Sequence, residues 1–290
     1  MSFYRLEELF PDDLAKRIAE VPILILPLGT IEWHSHHLPV GLDGIVAEAL
    51  CERIADSADA VLAPVSFWAA GGVPYPYTLN LPMDMVERLF VEVFEQFATF
   101  GFLVIVGFTG HFGLDQTLAL KRAALTVMHR TSATLWPCTE YDLTTDVGYS
   151  GDHAAVGETS LMMALRPELV RLNTIPSERS LDGIIGEDPR GRASADYADH
   201  LIRIISSRAA EVATRLLRRT SASEREDFIQ AIAAGVRVLE RTAQERQIRP
   251  KKDVPSIVTP AYRSYCQAIF QGDYRHAQAC AEKKLATLSE

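Results

Sequence analysis

Residues 29–43 read GTIEWHSHHLPVGLD, and they continue an apolar run that begins VPILIL at residue 21. The run 21–29 is rich in Leu and Ile, the composition of a strand buried on both faces, as strands are in a parallel sheet. Asp43 then opens a helical stretch, GIVAEALCERIADSA, with Ile45, Ala49 and Ile54 at helical spacing. A buried strand, a polar loop and a helix make the first half of a βαβ unit. Within the loop and its end stand Glu32, His34, His36, His37 and Asp43, five side chains able to ligate a metal in fifteen residues.

The same rhythm repeats outward from this stretch. Residues 60–68 (AVLAPVSFW), 102–108 (FLVIVGF) and 133–138 (ATLWPC) predict three further strands. Residues 82–101 and 114–130 predict the intervening helices, the first stopped at Gly101. The alternation implies an α/β fold with a mostly parallel sheet flanked by helices. From about residue 191 the pattern turns helical, with amphipathic stretches over 192–219 and 223–244 and a helical pair over 260–288 broken at Gly272. We expect one α/β domain over 1–245 and a helical C-terminal extension over 246–290, packed on that domain or on an oligomer neighbour. The polar segment RQIRPKKDVP, 246–255, joins them.

The net charge of −9 over 290 residues argues against nucleic-acid or anionic-membrane binding, which needs clustered positive charge. The four cysteines, Cys51, Cys138, Cys266 and Cys280, form no CxxC pair, so neither a zinc knuckle nor a redox motif is indicated. Their sparse use predicts a reducing, cytoplasmic setting. The N-terminus has no apolar signal region and no run is long enough to span a bilayer.

In open α/β sheets, ligands bind at the C-terminal ends of the strands, and there this chain places its unusual residues. Glu32 and His34, two residues apart in an extended segment, point the same way and make half a metal site, while Trp33 points opposite. Asp43 can reach back from the helix start. Oxygen and nitrogen donors without thiolate suit zinc, manganese or iron. His111 follows the third strand between Gly110 and Phe112–Gly113 and is a further ligand. Residues 151–160, GDHAAVGETS, add Asp152, His153 and Glu158. His153 suits a general acid–base role. Glu158 is either a ligand or a first-turn helix acid.

These motifs resemble the creatininase (creatinine amidohydrolase) family over about residues 1–215. The resemblance rests on Glu32-x-His34, His37, Leu38–Pro39 and Asp43 eleven residues after Glu32, on Gly110–His111, on HAAVGETS from His153 to Ser160, and loosely on YPYT, Tyr75 to Thr78. It implies a three-layer α/β/α fold and two divalent metal ions (Zn, Mn or Fe) per subunit. Glu32, Asp43 and His111 would hold one ion, and His34 and Asp43 the other, with Asp43 bridging. The family's glutamate two residues after the histidine is here Gly113, and Glu158 is the candidate replacement. An active-site tryptophan of creatininase is here Tyr149, and Ser35–His36 replaces the usual glycine and the residue after it.

The resemblance further implies a hydrolase whose metal-bridged hydroxide attacks a small cyclic amide or formamide C–N bond, with His153 protonating the departing nitrogen and Asp152 orienting it. Thr78, Tyr149 and Phe112 would line the substrate pocket. The departures at Ser35, His36, Gly113 and Tyr149 point to a substrate other than creatinine. Two alternatives keep the metals: hydrolytic ring opening of a cyclitol-derived cyclic diketone at a C–C bond, and a peptidase or maturation partner in a cofactor pathway. A small-molecule substrate and a homo-oligomer, a hexamer by resemblance, complete the expectation.

Overall fold

The computed structural model describes residues 3–175, 181–219, 221–249 and 259–288. Most of the segment 246–255 read above as a linker lies outside them. Five strands form one sheet: β1 (Tyr4–Arg5), β2 (Ile23–Leu28), β3 (Val61–Leu62), β4 (Val104–Thr109) and β5 (Thr134–Thr139). Their order is β1-β3-β2-β4-β5 and every pairing is parallel. All six residues of β2, β4 and β5 are buried, as the apolar runs predict.

The register runs from Ile23↔Val104 to Leu28↔Thr109, and from Val104↔Thr134 to Thr109↔Thr139. The three strands therefore finish level, and the loops that follow them open at one place. The chain moves from β2 outward to β3, then returns across β2 to β4. The order reverses between β2 and β4, so a crevice lies beyond their C-terminal ends.

Two differences from the sequence reading have simple causes. The strand over 60–68 is reduced to Val61–Leu62, because Pro64 has no N–H to extend the ladder with β1 and Pro27, whose carbonyl faces this segment, has none to extend it from β2. The segment keeps beside β2 through single bonds, Ala63 N–H to Ile25 O at 2.8 Å and Ser66 N–H to Pro27 O at 3.1 Å. That early ending also tolerates Pro27 in a central strand. β1, only two residues long, carries no periodic signal and was not foreseen.

Helices α2 (Leu42–Ala58), α5 (Val156–Leu165) and α6 (Ala195–Arg218) pack together on one side of the sheet, while α3 (Met83–Phe100) and α4 (Leu114–Arg130) pair on the other. Right-handed crossovers require this division. α1 (Pro11–Glu20) precedes β2. Beyond α6, α7 (Ala222–Ile248) lies on α4 through buried Leu118, Val236 and Leu239. α8 (Pro260–Gln271) and α9 (Tyr274–Leu288) pack on each other and on α7. α8 also reaches the turn after β5, where Cys266 Sγ lies 3.4 Å from Asp142 Oδ1. Among the described residues, no helix is long and apolar enough to cross a membrane.

The start of α2 is held against the sheet by two glycines. A Cβ at Gly29 would overlap the Gly44 backbone, and one at Gly110 would overlap the carbonyl of Asp43. Neither obstacle is a flexible side chain, so the backbone itself must move. Gly110→Ala is expected to cost about 2 kcal/mol or more of stability, read as a lower urea midpoint. An unchanged midpoint would show that α2 is not fixed by this contact.

Candidate metal centre

Five ionisable side chains converge where β2 and β4 end. Glu32, His34, Asp43, His111 and Glu158 are each at most 5% exposed. Buried charges of this kind are costly unless paired or metal-bound. Ligand atoms of Glu32, Asp43 and His111 lie within 4.8 Å of one another, and so do those of His34, Asp43 and Glu158. Asp43 belongs to both groups. A third group joins Glu32, His34 and His153. Glu32 and His34 thus serve one side of the loop, and Trp33 turns away to stack on Tyr75 at 3.4 Å between ring centroids.

The approach distances within the groups are short. His111 Nδ1 is 2.9 Å from Glu32 Oε2 and 3.2 Å from Asp43 Oδ2. His34 Nε2 is 2.9 Å from Asp43 Oδ1 and 3.5 Å from Glu158 Oε2. Yet His34 Nε2 and both Asp43 oxygens make no aligned hydrogen bond, although all three are buried. Cations held in the two groups would satisfy all three atoms, and the all-nitrogen-and-oxygen donor set suits zinc, manganese or iron.

Each imidazole is anchored by a main-chain carbonyl. His34 Nδ1 lies 3.0 Å from Glu32 O, His111 Nε2 3.2 Å from Ala70 O, and His153 Nε2 2.9 Å from Trp33 O. A carbonyl only accepts, so these ring nitrogens carry protons. The opposite nitrogens of His34 and His111, which face the carboxylates, are left free to donate to a metal. This is the usual outer support of metal-bound histidine.

The loop backbone is bent to achieve this. Ser35 has φ 57°, a left-handed conformation that favours glycine, which explains the glycine usual at this place in the family resembled. Ala154 has φ 51°, and its N–H donates to Glu158 Oε2 at 2.6 Å. His37 turns away from the ligand groups, its Nε2 2.9 Å from Thr159 Oγ1, tying the loop to α5 beside Glu158. Burial, with the charge of His34, lowers the His37 pKa to about 4, so it stays neutral.

Asp152 does not orient His153, contrary to the sequence expectation. Its carboxylate accepts the N–H groups of Gly157 at 2.6 Å and Glu158 at 3.0 Å, at the start of α5. Those unpaired donors at a helix start compete for any nearby carboxylate. The Trp33 carbonyl holds the His153 ring instead, and paired hydrogen bonds with Ile185 hold its backbone at 2.9 and 2.8 Å.

A cavity of about 670 Å³ opens onto the two groups, within the range of small-ligand sites. Phe112, Asp152 and His153 line it, as do Ile185 and Arg246, which sequence reasoning missed. Neither Thr78 nor Tyr149 is on its wall. Thr78 Oγ1 accepts the Trp33 N–H at 3.2 Å, and the buried Tyr149 hydroxyl donates to Glu140 at 3.2 Å. Glu140, also missed, has its pKa pushed up to about 8 by burial and by the charge of Asp43.

The ligand groups hold protons when no metal is bound. Burial opposes charge on His111, but the adjoining Asp43 and Glu32 carboxylates outweigh it and raise its pKa to about 10. His34 is raised against its burial mainly by Asp43, and Glu158 is raised by burial and by Asp43. For His111 the pairing stabilises the metal-free fold fully below pH 6.5 and fades as the pH climbs through about 10. Metal loading at pH 7.5 is therefore expected to release protons. Calorimetric zinc titrations in two buffers of different ionisation enthalpy check this, and heats independent of the buffer would refute it.

Comparison with known proteins follows the same lines. A family model described as creatinine amidohydrolase matches residues 7–212. The chain is 27% identical over 176 residues to the creatinine amidohydrolase of Pseudomonas putida, covering 53% of this chain and 68% of that one. It is 30% identical over 170 residues to the mycofactocin precursor peptide peptidase of Mycolicibacterium smegmatis, covering 54% of this chain and 65% of that one, just under two thirds of its length. A solved manganese form of creatininase superposes with a TM-score of 0.62 at 21% identity, covering 73% of this chain and 97% of the other.

Proposed function

The chain belongs to the creatininase family, and from that membership and the geometry of its buried ligand groups we propose a metal-dependent hydrolase that holds two divalent ions and cleaves a C–N bond in a small cyclic amide or formamide. The observation that carries this reading is the pair of three-ligand groups sharing Asp43, with both Asp43 oxygens buried and without aligned hydrogen bonds. The manganese form of creatininase lends support for divalent metal.

Glu32, Asp43 and His111 would hold one ion, and His34, Asp43 and Glu158 the other. Bound there, the ions supply Lewis acidity and a water of lowered pKa. His153 is kept neutral by burial and by the charge of His34, and its Nδ1 lies 4.0 Å from Glu32 Oε1. It can take a proton at Nδ1 and return it to the departing nitrogen, while Trp33 O keeps the ring from turning. Phe112 and Ile185 give the cavity apolar walls that shed water around the substrate. Thr78 acts one layer back, holding the loop that carries Glu32. The departures from creatininase at Ser35, Gly113 and Tyr149 favour a substrate other than creatinine.

The mycobacterial relative favours a second reading, hydrolysis of a peptide bond. A panel of cyclic ureides, formamides, keto-inositols and short peptides, followed by mass spectrometry, separates the readings. We expect water to add to a cyclic amide or to remove formate, with turnover lost on chelation and restored by zinc or manganese. Wild-type protein that folds without binding metal would overturn the proposal. A cytoplasmic homo-oligomer, with a hexamer expected by light scattering, belongs to the same proposal.

A further inference from the structure

We propose that Arg246 makes the cavity selective for substrates that carry a carboxylate away from the scissile bond. This rests on the hydrolase reading for what the cavity does, but its own basis is α7. Residues 222–248 lie beyond the segment 7–212 that matches the family, yet Leu239 and Arg246 of this helix line the same cavity as Glu32, Asp43 and His111. The wall is fixed in place, because Leu239 is buried with Leu118 and Val236 between α4 and α7.

The arginines at the C-terminal end of α7 and just beyond it divide into two kinds. Arg241 and Arg249 both pair with the buried Glu245, at 2.8 and 2.9 Å. Arg246 has no hydrogen-bond or ion-pair partner among the described residues. Among the described residues it is the single lysine or arginine that lines the cavity. It is solvent-exposed while lining the cavity, so it stands at the rim.

Elsewhere the wall is acidic, with Asp115 and Asp152 on the same cavity. The carboxylates deeper in are the ones assigned to metal. A guanidinium with no partner among the described residues, in that setting, matches one planar, singly charged anion, which it can grip through two parallel N–H bonds. A more highly charged group would meet repulsion from Asp115 and Asp152. The scissile end of the substrate would then face the Asp43 groups, with its carboxylate directed outward to α7.

Two cyclic ureides with the same ring test this, dihydrouracil and its 6-carboxylate, dihydroorotate. Their binding to the zinc-loaded full-length protein is measured by calorimetry, alongside Arg246→Met and Arg246→Lys. The wild type is expected to bind the carboxylate probe about tenfold more tightly. Arg246→Met should bring the two probes to within about twofold, leaving the neutral one unchanged, and Arg246→Lys should keep part of the preference. Equal binding of the probes by the wild type, including no binding of either, overturns the proposal. So does a preference that survives in Arg246→Met, since the metal alone would then explain it. Binding with the expected preference in a protein that folds without taking up metal at the Asp43 groups and turns over no member of the substrate panel leaves this inference standing and removes the hydrolase reading.

Discussion

Replacing Asp43 with asparagine is expected to empty both ligand groups together and to lower turnover by on the order of 10³-fold or more. The two groups have Asp43 in common, and its carboxylate offers one oxygen to each: Oδ2 faces His111 and Oδ1 faces His34. Asparagine keeps the shape of the side chain but removes its charge and one acceptor. The loss reaches the histidines as well. Against burial, His34 is raised mainly by Asp43, and His111 by Asp43 with Glu32. Without it, both buried rings move toward neutrality. Metal content per subunit by elemental analysis is the primary readout, with circular dichroism to show that the variant folds. Asp43→Asn retaining both ions would rule out a shared ligand.

Glu158→Gln should behave differently, and the contrast separates the two groups. Glu158 belongs to the group with His34 and Asp43 but not to the group with Glu32 and His111. The variant is expected to lose one ion, keep the other, and lose activity on the order of 10²-fold. A glutamine oxygen can still accept the Ala154 N–H that now meets Glu158 Oε2 at 2.6 Å, so the local turn survives. A Glu158→Gln protein with two ions and full turnover would return Glu158 to the role of an acid at a helix start. The result also bears on Gly113, where creatininase carries its glutamate. A Cβ there would come within 3.0 Å of His111 Nε2, so a side chain at 113 would crowd the ring that Ala70 O anchors.

Much of this was legible in residues 29–43 and 104–111. The apolar runs announced parallel strands, and strand ends in such sheets converge, so Glu32, His34, Asp43 and His111 could be gathered without coordinates. The short strand β3 was not foreseen at its true length, because the effect of Pro27 and Pro64 depends on which neighbour each nitrogen faces. The role of Asp152 was misread for a similar reason. Its sequence position beside His153 suggested a pair, whereas the unpaired N–H groups of α5 claim its carboxylate. Arg246 carried no local signal at all. It reaches the cavity only because α7 docks on α4, more than a hundred residues away in the chain.

The carbonyls that hold the three imidazoles have a consequence for how this protein can change. They come from Glu32, Ala70 and Trp33, and a main-chain carbonyl is present whatever side chain its residue bears. No single substitution deletes such an acceptor; only a shift of the backbone can. The support of the site histidines is therefore inherited with the path of the chain, while the side chains on the cavity wall remain free to drift. A lineage built this way can exchange one substrate for another by small steps and keep its reactive centre throughout.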